Sequence, residues 1–71
     1  MSKTDIVKNY VIKCLKDILK AKKLNHNTES YDIRYFEIMN YLRYNYFSYY
    51  IELIKDSEIV SLLNLINWEA V

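Results

Sequence analysis

From Ile6 to Leu24 the apolar positions come in pairs every three to four residues: Ile6 and Val7, Tyr10 and Val11, Cys14 and Leu15, Ile18 and Leu19. That is the repeat of a helix with one wide buried stripe. It predicts a first helix over residues 4–24. Ser2 or Thr4 stands where a helix is capped, and Asp5 lies in the first turn, where the positive end of the dipole favours an anion. Lys20, Lys22 and Lys23 crowd the last turn, where the opposite pole favours cations. The stretch Asn25–Ser30, reading NHNTES, interrupts the pattern. Such residues bond their own backbone and favour turns and caps. Thr28 or Ser30 is placed to cap the next helix.

The second segment repeats the helical period. Tyr35, Met39, Leu42, Tyr46, Tyr49 and Leu53 alternate steps of four and three, and Arg34, Glu37, Asn45, Ser48, Glu52 and Lys55 fall on a rough opposite stripe. This predicts a second helix over 31–55. Residues 44–51 are aromatic and prone to extended structure, so a strand is the competing reading. No other segment offers it a partner, and helix is preferred, with Asn45 as the place where it would break. Asp56 and Ser57 offer the next cap, and an apolar run from Ile59 to Trp68 predicts a third helix over 58–69.

Composition narrows the choices. The chain has 71 residues and neither glycine nor proline. Tight hairpins and phosphate-binding loops need glycine at set places, so an all-β fold and both dinucleotide and P-loop folds are disfavoured. Helices joined by short polar turns need neither residue. A single cysteine and a single histidine permit no internal disulfide and no four-coordinate zinc site from those residues alone. His26 sits in the polar turn, Cys14 in the apolar stripe, and the carboxylates Glu52, Asp56 and Glu58 follow no calcium-loop spacing. The expectation is a protein with no catalytic residues, cofactor, metal or small-molecule substrate. No apolar run is long enough for a membrane span and none follows the first lysines as a leader would. With its unpaired cysteine, the chain is expected in a cytoplasm. Lys, Asn, Ile and Tyr fill nearly half of it. Their codons are rich in A and T, which points to an AT-rich genome and discounts both the lysines and the tyrosines somewhat.

Charge is uneven. Residues 1–23 hold seven lysines against two aspartates, a balance of +5, and residues 24–71 hold three cations against seven acids, a balance of −4, together the net +1. Lys13, Lys16 and Lys20 share one helical face, as phosphate backbones require. They would carry a nucleic-acid-binding reading, though solubility alone also accounts for them. The tyrosines of 41–50 surround their helix and cannot all face one core. Rings with wet hydroxyls and rings in an interface are both open for them.

The expected fold is all-α, a small three-helix domain. A domain of this size has a marginal core, so its apolar excess favours a homodimer. In size, composition and lack of reactive groups the chain resembles the small host-takeover proteins of phages infecting low-GC bacteria. That resemblance rests on no motif. It implies a non-catalytic inhibitor that blocks a host protein, with a replication clamp, RNA polymerase or a defence nuclease as candidate targets. Tyr44, Phe47, Tyr50 and Trp68 are the expected protein-binding anchors. The alternative is a small nucleic-acid-binding or transcription-regulating protein using Lys13, Lys16 and Lys20.

Overall fold

The computed structural model describes residues 3–66, all of which lie in helices or short turns. There are four helices: α1 (Lys3–Lys23), α2 (Glu29–Asn45), α3 (Phe47–Lys55) and α4 (Ser57–Ile66). The all-α expectation holds and no strand is present among the described residues. The count of three helices does not hold. The segment expected as one helix over 31–55 is two, broken at Tyr46 (φ −141°, ψ 60°). The expected cap Ser2 and the last turn of the third helix, residues 67–69, lie outside the described residues.

The break has a packing cause. An unbroken helix of that length would run roughly 37 Å, beyond the 34 Å longest dimension of the molecule. Folding back at Tyr46 brings Leu53 onto the same core as Tyr35, Met39 and Leu42. It costs little backbone bonding, because Tyr46 serves both helices. Its N–H donates to the Leu42 carbonyl (2.7 Å) and its own carbonyl accepts from the Tyr50 N–H (2.9 Å). The Asn45 side chain turns back and donates Nδ2 to the Tyr41 carbonyl (2.9 Å). Asparagine competes with the backbone in this way at helix ends.

The α1–α2 turn solves the absence of glycine differently. Asn25 takes the left-handed conformation (φ 58°), the only positive φ among the described residues. The His26 N–H then reaches the Ala21 carbonyl (2.8 Å) and the Asn25 N–H the Lys22 carbonyl (3.1 Å). This is the Schellman ending, with asparagine in the place glycine usually holds. Asn27 Oδ1 next accepts from the Glu29 N–H (2.8 Å). Thr28 occupies the cap position of α2, yet its hydroxyl donates to Asp32 Oδ2 (3.0 Å) and makes no cap bond to the backbone. Ser30, the other expected cap, lies inside the helix.

Asp56 alone joins α3 to α4, and there the expected cap is present. Its Oδ1 accepts from the N–H groups of Glu58 (3.0 Å) and Ile59 (3.2 Å). Its Oδ2 meets Lys8 Nζ of α1 at 2.7 Å. The far end of α4 is tied to α1 as well, since Lys22 Nζ donates to the Ile66 carbonyl (2.6 Å).

Helix α1 is the axis of the fold, packing against α2 on one side and α4 on the other. Val11, Leu15 and Ile18 of α1 and Ile59 of α4 are wholly buried. Ile12, Cys14, Ala21, Tyr35, Met39, Leu42, Leu53 and Ile66 are also buried, and no charged side chain is buried among the described residues.

Candidate protein-binding surface

Helix α2 is apolar on two opposite sides. Tyr35, Met39 and Leu42 face the core. Ile33, Phe36 and Tyr44 point away from it and are 50%, 48% and 80% exposed. The steps of three and eight between these three, with Asn40 between the last two, place them on successive turns of one outward stripe. Tyr41 flanks the stripe, and Tyr46 and Phe47 continue the apolar surface at the α2–α3 corner, each more than half exposed.

The corner is held by ring contacts. Tyr41 and Tyr46 approach to 6.0 Å between centroids. Phe47 stacks on Tyr50 at 6.1 Å and 24°. The Arg43 guanidinium lies 5.9 Å from the centre of the Tyr44 ring, within cation–π range. At the other end of α2, Phe36 meets the edge of Tyr35 at 5.3 Å. That contact connects the outward stripe to a core ring whose hydroxyl pKa is pushed up to about 12 by burial, with smaller contributions from Tyr50 and Cys14.

The four expected anchors separate in this setting. Tyr44 and Phe47 are both exposed, on either side of the break at Tyr46. Tyr50 is half-buried against the core and supports Phe47 from beneath. Trp68 lies outside the described residues. Ile33 and Phe36 are part of the surface that the sequence reading missed. Their spacing with Tyr44 is a signal in plain view, but the polar residues Arg34, Glu37 and Asn45 mark the outer side of the helix more conspicuously.

The lysines also separate. Lys13, Lys16 and Lys20 are exposed on the outer side of α1, and none of them takes an ion-pair partner among the described residues. Lys8 and Lys22 are structural ties. The cleft beside the lysine face, between α1 and the start of α4, is mixed in sign: Asp5 and Glu58 line it with Lys8, Lys13 and Lys16.

Reactive groups are dispersed. His26 is exposed in the α1–α2 turn. Cys14 is buried, and burial raises its thiol above the ordinary value despite a hydrogen bond with Tyr10, which disfavours the reactive thiolate. No group of three His, Cys, Asp or Glu side chains among the described residues is placed to hold a metal ion. No helix among them is long and apolar enough to cross a membrane. No protein-family description, curated protein or solved structure matches the chain.

Proposed function

We propose that this protein is a non-catalytic binding module that docks protein partners on the outer side of α2 and the α2–α3 corner. One observation carries the reading. Four exposed apolar side chains, Ile33, Phe36, Tyr44 and Phe47, gather on the outer side of α2 and at its corner, none of them belonging to the core cluster of the described residues. Exposed apolar residues scattered singly need no explanation, whereas a contiguous patch of them marks an interaction site. Tyrosine and arginine are the side chains that dominate binding energy at such sites, and Arg43 beside Tyr44 supplies both. The finer reading is that the partner is a host protein blocked by a phage-type inhibitor. It rests on the resemblance in size and composition.

The test is affinity capture from a nuclease-treated lysate of a low-GC bacterium, with the wild-type chain beside Tyr44→Ala and Phe47→Ala. A single stoichiometric protein, captured by wild type and lost with either variant, is expected. Capture unaffected by both substitutions would remove the corner from the reading. The unpaired Lys13, Lys16 and Lys20 support a second reading, nucleic-acid binding through α1. Binding that returns only when nucleic acid is left in place, and is lost with K13E, K16E and K20E together, would favour it.

A further inference from the structure

We infer that the outer face of α2 pairs with the same face of a second copy, antiparallel, about a two-fold axis passing between Ile38 and Met39. This deepens the binding-module reading, on which it rests, by naming the partner for α2.

The face complements itself end to end. Its first turns carry the acids Glu29 and Asp32 and a shallow depression lined by Asn27, Glu29, Ser30 and Ile33. Its last turns carry a cation, Arg43, and a protruding ring, Tyr44, the most exposed large apolar side chain described. A two-fold interface is isologous: whatever one end offers, the other end must accept, twice. An axis between Ile38 and Met39 sets residues whose numbers sum to 77 at the same height. Ile33 then meets Tyr44 of the second copy, so that the ring enters the depression beside Ser30. Glu37 meets Asn40 of the second copy near the axis, where an amide can donate to a carboxylate.

Helical geometry fixes the flanks as well. With 100° per residue, Asp32, Phe36 and Arg43 lie on one flank of the stripe. The two-fold keeps that flank on the same side in both copies. Arg43 therefore falls between Asp32 and Phe36 of the second copy, within about 3 Å of each in height at 1.5 Å per residue. A carboxylate on one side and a ring on the other suit a guanidinium. A parallel two-fold pairing would instead exchange the flanks and set Arg43 opposite Tyr41 and Asn45 of the second copy, where no carboxylate lies. The charges thus select the antiparallel arrangement.

Size agrees with a modest dimer. Phenylalanine and tyrosine bury about 150–250 Å² each when fully covered. At the observed exposures, Ile33, Phe36, Tyr41 and Tyr44 offer on the order of 400–500 Å² per copy. A standard interface takes about 800 Å² per partner, and Glu29, Glu37, Asn40 and Arg43 supply polar rim toward it. The expected dissociation constant is micromolar. Phe47 and the lysine face of α1 stay outside this contact.

Sedimentation equilibrium on the full chain, from ~1 to ~500 μM, tests the pairing. The wild type should pass from monomer to dimer in that range. Tyr44→Ala should raise the dissociation constant about 100-fold, because an anchor worth about 10-fold occurs twice in the interface. Charge reversal gives the sharper result. R43E alone, and E29K with D32K alone, should each remain monomeric while keeping helical circular dichroism. Mixed together they should form a one-to-one heterodimer, since each reversed cation then faces a reversed acid. A mixture that stays monomeric, variants that dimerise as wild type does, or a wild type monomeric throughout would overturn the proposal. If that monomer still captures a foreign protein through Tyr44 and Phe47, the binding-module reading survives alone.

Discussion

Helices α1 and α2 are neighbours of similar length, yet they divide their surfaces differently. α1 buries Val11, Leu15 and Ile18 and turns Lys13, Lys16 and Lys20 outward. Apart from the exposed Ile6 and Tyr10 in its first half, its described outer side is polar. α2 buries Tyr35, Met39 and Leu42 and turns Ile33, Phe36 and Tyr44 outward. Its inner side obeys the same rule and its outer side does not. A helix apolar on both sides has more surface to cover than its own chain covers. On the proposed reading, α1 holds the molecule together, and α2 does so while also meeting something else.

The largest expected effect lies on α1. Leu15→Ala should destabilise the protein by about 2–5 kcal/mol, the usual cost of a core leucine truncation. A domain of this size has about 3–5 kcal/mol in hand, so the variant should be partly or wholly unfolded at room temperature. Urea denaturation followed by circular dichroism checks this. A loss below about 1 kcal/mol would mean that α1 is not the axis of the core.

Next in size is the tie between α1 and the start of α4. Asp56→Ala removes the cap of α4 and the partner of Lys8 together, and should cost about 1–2 kcal/mol. Asp56→Asn keeps an effective cap and removes only the charge, so it should recover most of that loss. The pH dependence has a definite sign. Lys8 and the N–H groups of Ile59 and Glu58 hold the Asp56 carboxyl below the ordinary carboxylate value. Its contribution is therefore present above the unfolded value and lost as pH falls through the lowered folded one. The Lys8 ammonium is raised, chiefly by its hydrogen bond to Asp56. Its contribution is present below the ordinary lysine value and lost as pH rises through the raised one. Across neutral pH, stability should thus be flat with respect to this pair. In Asp56→Asn, the acid-side loss should be smaller than in wild type.

How much of this is legible in the sequence depends on the kind of signal. Asp56 is legible as a cap because capping is local: an acid directly before an apolar run needs only its neighbours. Tyr35, Met39, Leu42 and Leu53 are legible as core for the same reason, since period alone picks them out, whereas Tyr46 of the same seam is exposed at the break. The break at Tyr46 falls beside Asn45, the place expected for one, but that it occurs is not legible, because the same seam is compatible with one long helix or with two folded onto one core. Only the length of α1 and the position of α4 decide between them. Asn45 marks the place through its competing side chain, but a residue of that kind also sits harmlessly inside helices. The proposed binding surface is half legible. Tyr44 and Phe47 stand out as excess aromatics, while Ile33 and Phe36 are hidden because isolated apolar residues on an outer face are ordinary. They become informative once all four are seen to be exposed on the same outer side.

Asn25 gives a smaller test of how the fold manages without glycine. Asn25→Ala should cost about 1 kcal/mol, because a Cβ without a helpful polar group is disfavoured at positive φ. Asn25→Gly should be neutral or stabilising by a few tenths of a kcal/mol. Thermal melts of the two variants should therefore move apart, with the glycine variant at or above wild type. If both moved down together, the Asn25 side chain would hold the turn by its own contacts and not by its tolerance of the left-handed conformation.

The smallest expected effect bears most directly on the contrast between the helices. Ile33→Gln and Phe36→Gln place polar side chains on the outer stripe of α2, where the isolated molecule leaves these positions about half exposed. Surface substitutions away from core and caps usually stay within ±0.5 kcal/mol. The unfolding free energy, measured by urea denaturation at concentrations well below those of the proposed dimer, should stay within that band. At high concentration the same variants should fall behind wild type, because a partner that binds only the folded state adds stability by mass action. A shift that appears only when the chain is concentrated separates residues that build the fold from residues that meet another molecule. A loss of about 2 kcal/mol or more that is the same at every concentration would return Ile33 and Phe36 to the core, and α2 would then be a one-sided helix like α1.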